Sequence, residues 1–349
     1  VPRAPIAERL TAQALAGEPL HSAEAVAGRL LAVQGQDPRG ARLAVRARSE
    51  GVTAADVDRA LSQERSLLIT WLNRGTLHLV RSEDYSWLHA LTTPPLMTSS
   101  ARRLRQEGVS PEAAERGVET IERALADEGP LTRLPLRERL DRAGVPTQGQ
   151  ALIHLLFLVT LRGIAIRGPM AGKEHAYVLV CDWLGEQKPV DREQALAELA
   201  RRYLAGHAPA DDRDLARWAG LPLRDARAGL EAIAGELMER DDGLVELAKG
   251  PPPAPIPPPR LLGAFDPLLL GWTSREEVVG PHKVLVTMNG VFRPFALVDG
   301  RAVATWRLAN GKVTIEYLGK VKKTDAAALE ADAERVLEFM NAETARGVD

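Results

Sequence analysis

The sequence predicts an α+β, mainly helical protein: three tandem winged helix-turn-helix units followed by a C-terminal antiparallel β domain. Three observations predict it. A helix, short helix, turn, helix, strand order repeats before residue 250. A proline run, GPPPAPIPPP, fills residues 250–259, and Asn-Gly or Asp-Gly pairs recur every ten or eleven residues beyond it. Of 349 residues, 45% are hydrophobic and 26% charged, the balance of a folded globular chain and not of a disordered one.

Residues 1–118 read as the first unit. An apolar helix ends near Val33, and Asp37-Pro38 begin another, because Asp accepts orphan amide hydrogens and Pro lacks one. Gln34, Gly35 and Gln36 fall in the link, and a strand-like Gly75-Thr76-Leu77-His78-Leu79-Val80 lies further on. Residues 119–190 repeat the order with ETIERALADEG, LPLRERLDRAG, a turn at Val145-Pro146-Thr147, and the apolar QGQALIHLLFLVTLRG. Strands at 163–167 and 175–180, joined by residues 168–174, would form the wing. Residues 191–249 give it a third time, as ALAELARRYLAG, DRDLARWAG, a break at Leu221-Pro222, LRDARAGLEAIAGELM, and a short apolar stretch at 244–247.

Seven prolines in ten residues at 250–259 favour extended polyproline. At about 3.1 Å per residue that is a stiff linker of roughly 30 Å. Residues 260–349 then read as an antiparallel meander of about four strands. Asn289-Gly290, Asp299-Gly300 and Asn310-Gly311 suit type I′ turns, where both central residues take positive φ. Ala302, Ala304, Trp306 and Leu308 share one strand face. A helix from about Asp325 closes the chain, with Leu329, Val336, Leu337 and Met340 as its apolar stripe.

Composition narrows the chemistry. A single cysteine, Cys181, precludes an internal disulfide or a thiolate cage. The seven histidines stand at no ligand spacing, so no metal and no cofactor are expected. Net charge is −2, so any nucleic-acid site must be a local patch. Lysine is absent before Lys173, which leaves the first half to arginine, the side chain suited to bidentate phosphate contacts. No apolar run reaches the roughly 18–20 residues of a membrane span. With no signal-type segment either, the expected location is the cytoplasm. Walker A, Gly-x-Gly-x-x-Gly, Gly-x-Ser-x-Gly and His-Glu-x-x-His patterns are all missing.

Four groups of residues carry candidate chemistry. In an extended link Gln34 and Gln36 point to the same side, where two primary amides can hold a water or a sugar phosphate. Polar residues are equally ordinary in any link. Arg74, Thr76 and His78 at alternate positions present a cation, a hydroxyl and an imidazole on one strand face, a set that suits phosphate; a single satisfied histidine is the plainer reading. Arg167 precedes the 168–174 loop and Lys173 lies near its tip, a pair that suits entry into a groove; a solvated hairpin is the plainer reading. Asp266, with Arg275 downstream, offers a carboxylate and a guanidinium, or a structural ion pair.

AVQGQDPRGARLAVRAR (32–48), NRGTLHLV (73–80), RYLAGHAPADDRDLARWAGLP (202–222), FDPLLLGW (265–272) and RPFALVDGRAVATW (293–306) give the chain a family resemblance. It resembles the bacterial tandem winged-helix DNA-binding family that includes the azinomycin-resistance DNA glycosylase AlkZ. The resemblance covers nearly the whole chain. It implies three winged helices and a β domain forming a curved DNA-binding body, and excision of alkylated purines, including those in crosslinks. The family's signature is Gln-Φ-Gln with an aliphatic Φ; Gln34 and Gln36 match it, whereas Gly35 departs from it.

The resemblance therefore implies a monofunctional DNA glycosylase for N7-alkylated or bulky cationic purines, in alkylation repair or genotoxin self-resistance. Gln34 and Gln36 would be catalytic. Arg42, Arg46, Arg74, Thr76, His78, Arg167 and Lys173 would contact DNA. The expected partner is damaged double-stranded DNA, bound by a monomer without a cofactor and associated with the nucleoid when bound. The alternative is a non-catalytic winged-helix DNA-binding protein, a regulator or lesion sensor. Gly35 favours that alternative, and so does the acid surplus of residues 191–250, 13 acidic against 9 basic.

Overall fold

Punctuation by Ser, Asp, Pro and Gly cuts the chain into short helices, and about half of it is helical. The structure, a computed structural model, describes residues 5–172, 174–287 and 289–341. The first stretch forms α1 (Ile6–Ala12), α2 (Ala23–Leu30), β1 (Val33–Gln34), α3 (Pro38–Arg46) and α4 (Ala54–Ser62). Ser22 caps α2 by accepting from the Ala25 amide at 3.0 Å. Thr53 and Asp56 exchange bonds across the first turn of α4, the amide of each donating to the side chain of the other.

Next come β2 (Leu67–Leu72), β3 (Thr76–Arg81), α5 (Tyr85–Thr92) and α6 (Met97–Gln106). They are followed by α7 (Pro111–Glu128), α8 (Arg133–Arg142), α9 (Ala151–Leu161), β4 (Ala165–Ala171), β5 (Glu174–Leu179) and α10 (Val180–Leu184). Strands β2 and β3 pair antiparallel from Leu67↔Arg81 to Leu72↔Thr76, β4 pairs antiparallel with β5, and β2 meets β4 at Ile69↔Arg167. Helix α9 is apolar almost all round and buried accordingly, against α6, α7 and β2. Gly117 lets it approach: a Cβ there would lie 3.0 Å from Leu155.

The remainder forms α11 (Arg192–His207), α12 (Asp212–Ala219), α13 (Leu223–Ala232), β6 (Leu237–Glu239), β7 (Val245–Leu247) and β8 (Arg260–Leu262). It ends with α14 (Glu276–Val279), β9 (Phe295–Val298), β10 (Arg301–Ala309), β11 (Lys312–Tyr317) and α15 (Lys323–Asn341). Asp211 and Asp214 form a capping box on α12, and Gly220 in the left-handed region ends it.

A four-stranded antiparallel sheet runs in the order β11-β10-β9-β8. Asp299-Gly300 (φ 50° and 77°) and Asn310-Gly311 (φ 51° and 69°) make its two tight turns, with both central residues at positive φ as the sequence requires. Asn289-Gly290 does not: it lies beside an isolated bridge, Val286↔Phe292, and the sheet takes its fourth strand from β8 instead. Ala304 and Trp306 are buried on one face, where Leu329, Val336 and Phe339 of α15 cover them. Ala302 does not share that face as its spacing predicts: a bulge between Ala302 and Ala304 pairs Ala302 with Leu297 and turns it to the other side.

Packing divides the chain into two compact units. One joins the residues up to Asp58 with those from Glu193 onward; the other is Arg59–Arg192. The proline stretch expected to separate domains therefore lies inside the first unit. Its Ala254 amide donates to Thr11 Oγ1 at 2.9 Å, so it is seated on its own unit rather than spanning solvent. No described helix is long and apolar enough to cross a membrane.

Candidate active site

The Gln34–Gln36 segment belongs to the first unit and is fixed at both ends by local chemistry. Helix α2 stops at Leu31, a fully buried residue held at φ 63°, where an L-residue is strained. Asp37 restarts the helix, its Oδ1 accepting from the amides of Arg39 at 2.8 Å and Gly40 at 3.0 Å, with Pro38 in the first turn. The carboxylate is thus consumed as a cap. Between these ends Gln34 is buried and Gln36 exposed. Gly35 is not among the described glycines at positive φ, so its backbone does not demand glycine.

The start of α3 is clamped from outside. A Cβ on Gly40 would lie 2.3 Å from the Ala264 carbonyl oxygen, and one on Gly263 would lie 3.0 Å from the Gly40 backbone. Glycine at both positions lets the two backbones cross. At the other end of α3, Arg48 and Asp266 form a bidentate pair at 2.8 and 3.0 Å with neither side chain exposed. Arg48 also donates to Gln13 O, Gln13 Oε1 and Ala44 O, so the buried charge is fully hydrogen-bonded. The sequence marked Asp266 for an ion pair but with Arg275, which instead donates to the Leu269 carbonyl at 2.7 Å.

Other motif residues extend this frame. Tyr203 Oη donates to Gly271 O at 2.7 Å, Trp272 Nε1 to His207 O at 2.9 Å, and Trp306 Nε1 to Leu262 O at 2.8 Å. Asp214 receives both the amide and the hydroxyl of Thr273. These motif residues of the unit therefore hold backbone segments in register.

Two expected DNA contacts are corrected here. Arg42 is 8% exposed, with its guanidinium on Asp58 and the Pro38 carbonyl. Arg46 donates to Asp332 and to the Leu261 carbonyl. Each guanidinium is thus committed to an internal carboxylate, Arg42 buried and Arg46 half-buried, and neither is a solvent-facing phosphate contact.

Arg74, Thr76, His78 and Arg167 all lie in the second unit, and Lys173 falls outside the described residues. Arg74 sits not on the strand but in the Asn73–Gly75 turn, at φ 57°. Thr76 and His78 share a face of β3. Through the pairings Thr70↔His78 and Ile69↔Arg167, the register places Arg167 on the opposite face of the sheet. Arg167 lies over the Trp71 ring, 5.4 Å from its centroid.

His78 is 2% exposed, and its Nδ1 donates to the Thr76 carbonyl at 3.0 Å, which leaves Nε2 unprotonated. Burial, reinforced by the Arg74 charge, lowers its pKa to about 3. It is a neutral core imidazole and not a phosphate-binding cation. Sequence spacing missed the polar cluster around it. Asn73 is fully buried with both amide atoms unpartnered, and so is the Thr70 hydroxyl.

Three comparisons place these features. Residues 27–339 match the family described as DNA glycosylase AlkZ-like. A curated relative, the interstrand DNA cross-link repair glycosylase of Streptomyces sahachiroi, is 29% identical over 341 residues, with 90% of each chain covered. The solved structure of Streptomyces sahachiroi DNA glycosylase AlkZ is similar at a TM-score of 0.79 and 26% identity, covering 97% of this chain and 95% of that one.

Proposed function

This chain belongs to the DNA glycosylase AlkZ-like family, and we propose that it hydrolyses the N-glycosidic bond of N7-alkylated or bulky cationic purines, crosslinked ones included. One observation carries the reading: the link before α3 holds two primary amides, Gln34 buried and Gln36 exposed, while Asp37, the neighbouring acid, is spent on the helix cap.

Uncharged amides suffice because the substrate brings its own activation. In an N7-alkylguanine the purine is already cationic. When the C1′–N9 bond breaks, its electron pair neutralises the departing base, and no general acid is needed. A water oxygen then bonds to C1′ of the oxocarbenium-like sugar and releases a proton to solvent. A glutamine carbonyl accepts a hydrogen bond from that water and an amide N–H donates to a sugar or phosphate oxygen, so the pair orients reactants without titrating. An unmodified neutral base is a much poorer leaving group, and this site leaves it intact.

DNA is held through Arg74, Thr76, Arg167 and Lys173, with Arg42, Arg46 and His78 excluded by their internal commitments. The helix, helix, helix, hairpin order from α7 to β5, and the α11–β7 segment, support the reading of tandem winged helices. We take the enzyme to act as a monomer on damaged duplex in the cytoplasm.

The test is to incubate the purified chain with duplex carrying one N7-methylguanine and to score free base and abasic sites. Both are expected, at a single-turnover rate flat between pH 6 and 8 because neither glutamine titrates. Binding without abasic product would favour the non-catalytic DNA-binding alternative. A bell-shaped rate profile would assign the chemistry to a titrating group instead.

A further inference from the structure

Arg260 opens β8, and its charge is poorly matched by what surrounds it. The side chain is half-buried, Nη1 donates to the Ala47 carbonyl at 2.5 Å, and no carboxylate forms an ion pair with it among the described residues. The nearby carboxylate, Asp332, is already occupied. Its Oδ1 accepts from both Arg46 and Arg335, and its Oδ2 from the Leu261 amide at 2.7 Å. Arg48 is neutralised separately by Asp266. Two guanidiniums thus bond one carboxylate, and Arg260 feels that charge only through space. Desolvation, with the charges of Arg48, Arg46 and Arg335, pulls the Arg260 pKa down, opposed only by Asp332.

Arg46, Arg260 and Arg335 line a cleft of about 720 Å³ in the first unit, walled on its apolar side by Val52, Pro259 and Phe339. Glu50 and Glu338 also border it, exposed like Arg335 and screened alike by solvent and salt, so the excess of positive charge lies in the deeper lining, where Arg46 and Arg260 face Asp332 alone. The volume falls within the roughly 300–1,000 Å³ of small-molecule sites. A partly desolvated guanidinium cluster with excess positive charge gains most from an oxyanion that accepts several forked N–H bonds at once.

We propose that this cleft is a phosphate-binding site in which Arg260 and Arg335 grip the oxyanion and Arg46 stands behind them. It is separate from the glutamine segment. The phosphate comes either from a free phosphate ester or from the backbone of DNA, and the same chemistry serves both.

Calorimetric titration of the full chain with sodium pyrophosphate, in chloride buffer of matched ionic strength, tests the site. Saturable binding is expected. Arg260→Gln should weaken it by about 10–100-fold, the usual cost of a charged hydrogen bond. Arg335→Gln, at a position 56% exposed in its side chain and hence tolerant of change, should weaken it about tenfold and keeps the test open if Arg260→Gln fails to fold. Repeating the titration on the protein saturated with short duplex separates the sources. Competition assigns the site to a backbone phosphate, and undiminished binding to a free ester; either outcome supports it. Failure of pyrophosphate to bind, or equal binding by wild type and Arg335→Gln, would overturn the proposal.

Discussion

Residues 32–48 and residues 67–81 handle polar side chains in opposite ways. In the first region the inward-pointing charged groups of α3 and the residues just after it are matched: Arg42 with Asp58, Arg46 with Asp332, Arg48 with Asp266. In the second, Thr70 and Asn73 are buried with unpartnered polar atoms, and His78 is buried neutral. Unmatched buried polarity costs stability and persists where something else requires it. A well-matched frame gives rigidity. The first region is therefore a frame that holds two amides, and the second is strained around a turn that carries Arg74 at positive φ.

The contrast is broken most severely at the buried ion pair. Asp266→Ala strands the Arg48 charge at zero exposure and should lower the unfolding free energy by about 3–5 kcal/mol in urea titrations. Replacing both partners by apolar residues of similar volume should recover most of that loss. A loss below about 1 kcal/mol would show that the pair is not part of the frame.

In the second region the sharper probe is acid. His78 titrates near 3 when folded and near 6.5 when unfolded, so between those values the unfolded chain binds more protons and stability falls as pH drops. Its contribution is complete above about pH 6.5. At pH 5 about 2 kcal/mol of it is lost. His78→Asn, compared with wild type at pH 7 and pH 5, should remove that increment of acid sensitivity. Unchanged acid sensitivity would place the titrating group elsewhere.

Both sites also show what a sequence can reveal. Asp37-Pro38 as a helix start, and Asp299-Gly300 and Asn310-Gly311 as hairpin turns, follow from rules that act within a few residues. The fates of Arg42, Arg46 and Arg48 do not. Their partners lie 16, 286 and 218 residues away, and nothing in a local pattern says which carboxylate folds back onto which arginine. The alternate spacing of Thr76 and His78 was legible, but the burial that removes the histidine's charge comes from packing over the strand. Likewise the link showed two glutamines, but not that one is buried and the other exposed.

A smaller effect separates the cap from the chemistry. Asp37→Ala should cost about 1 kcal/mol in thermal or urea unfolding, the usual worth of an N-cap, and change excision by no more than a few-fold. A rate loss as large as that of either glutamine variant would give Asp37 a direct part in the reaction.

The most direct test of the account is single-turnover release of an N7-alkylguanine by wild type, Gln34→Ala and Gln36→Ala, with duplex affinity and melting temperature recorded on the same preparations. If the amides orient the attacking water, each substitution should slow release by about 10²–10³-fold, by analogy with the loss of an oriented catalytic hydrogen bond. Affinity and melting temperature should stay close to those of wild type. Wild-type release rates in both variants, accompanied by lower melting temperatures, would make the glutamines structural and contradict the assignment.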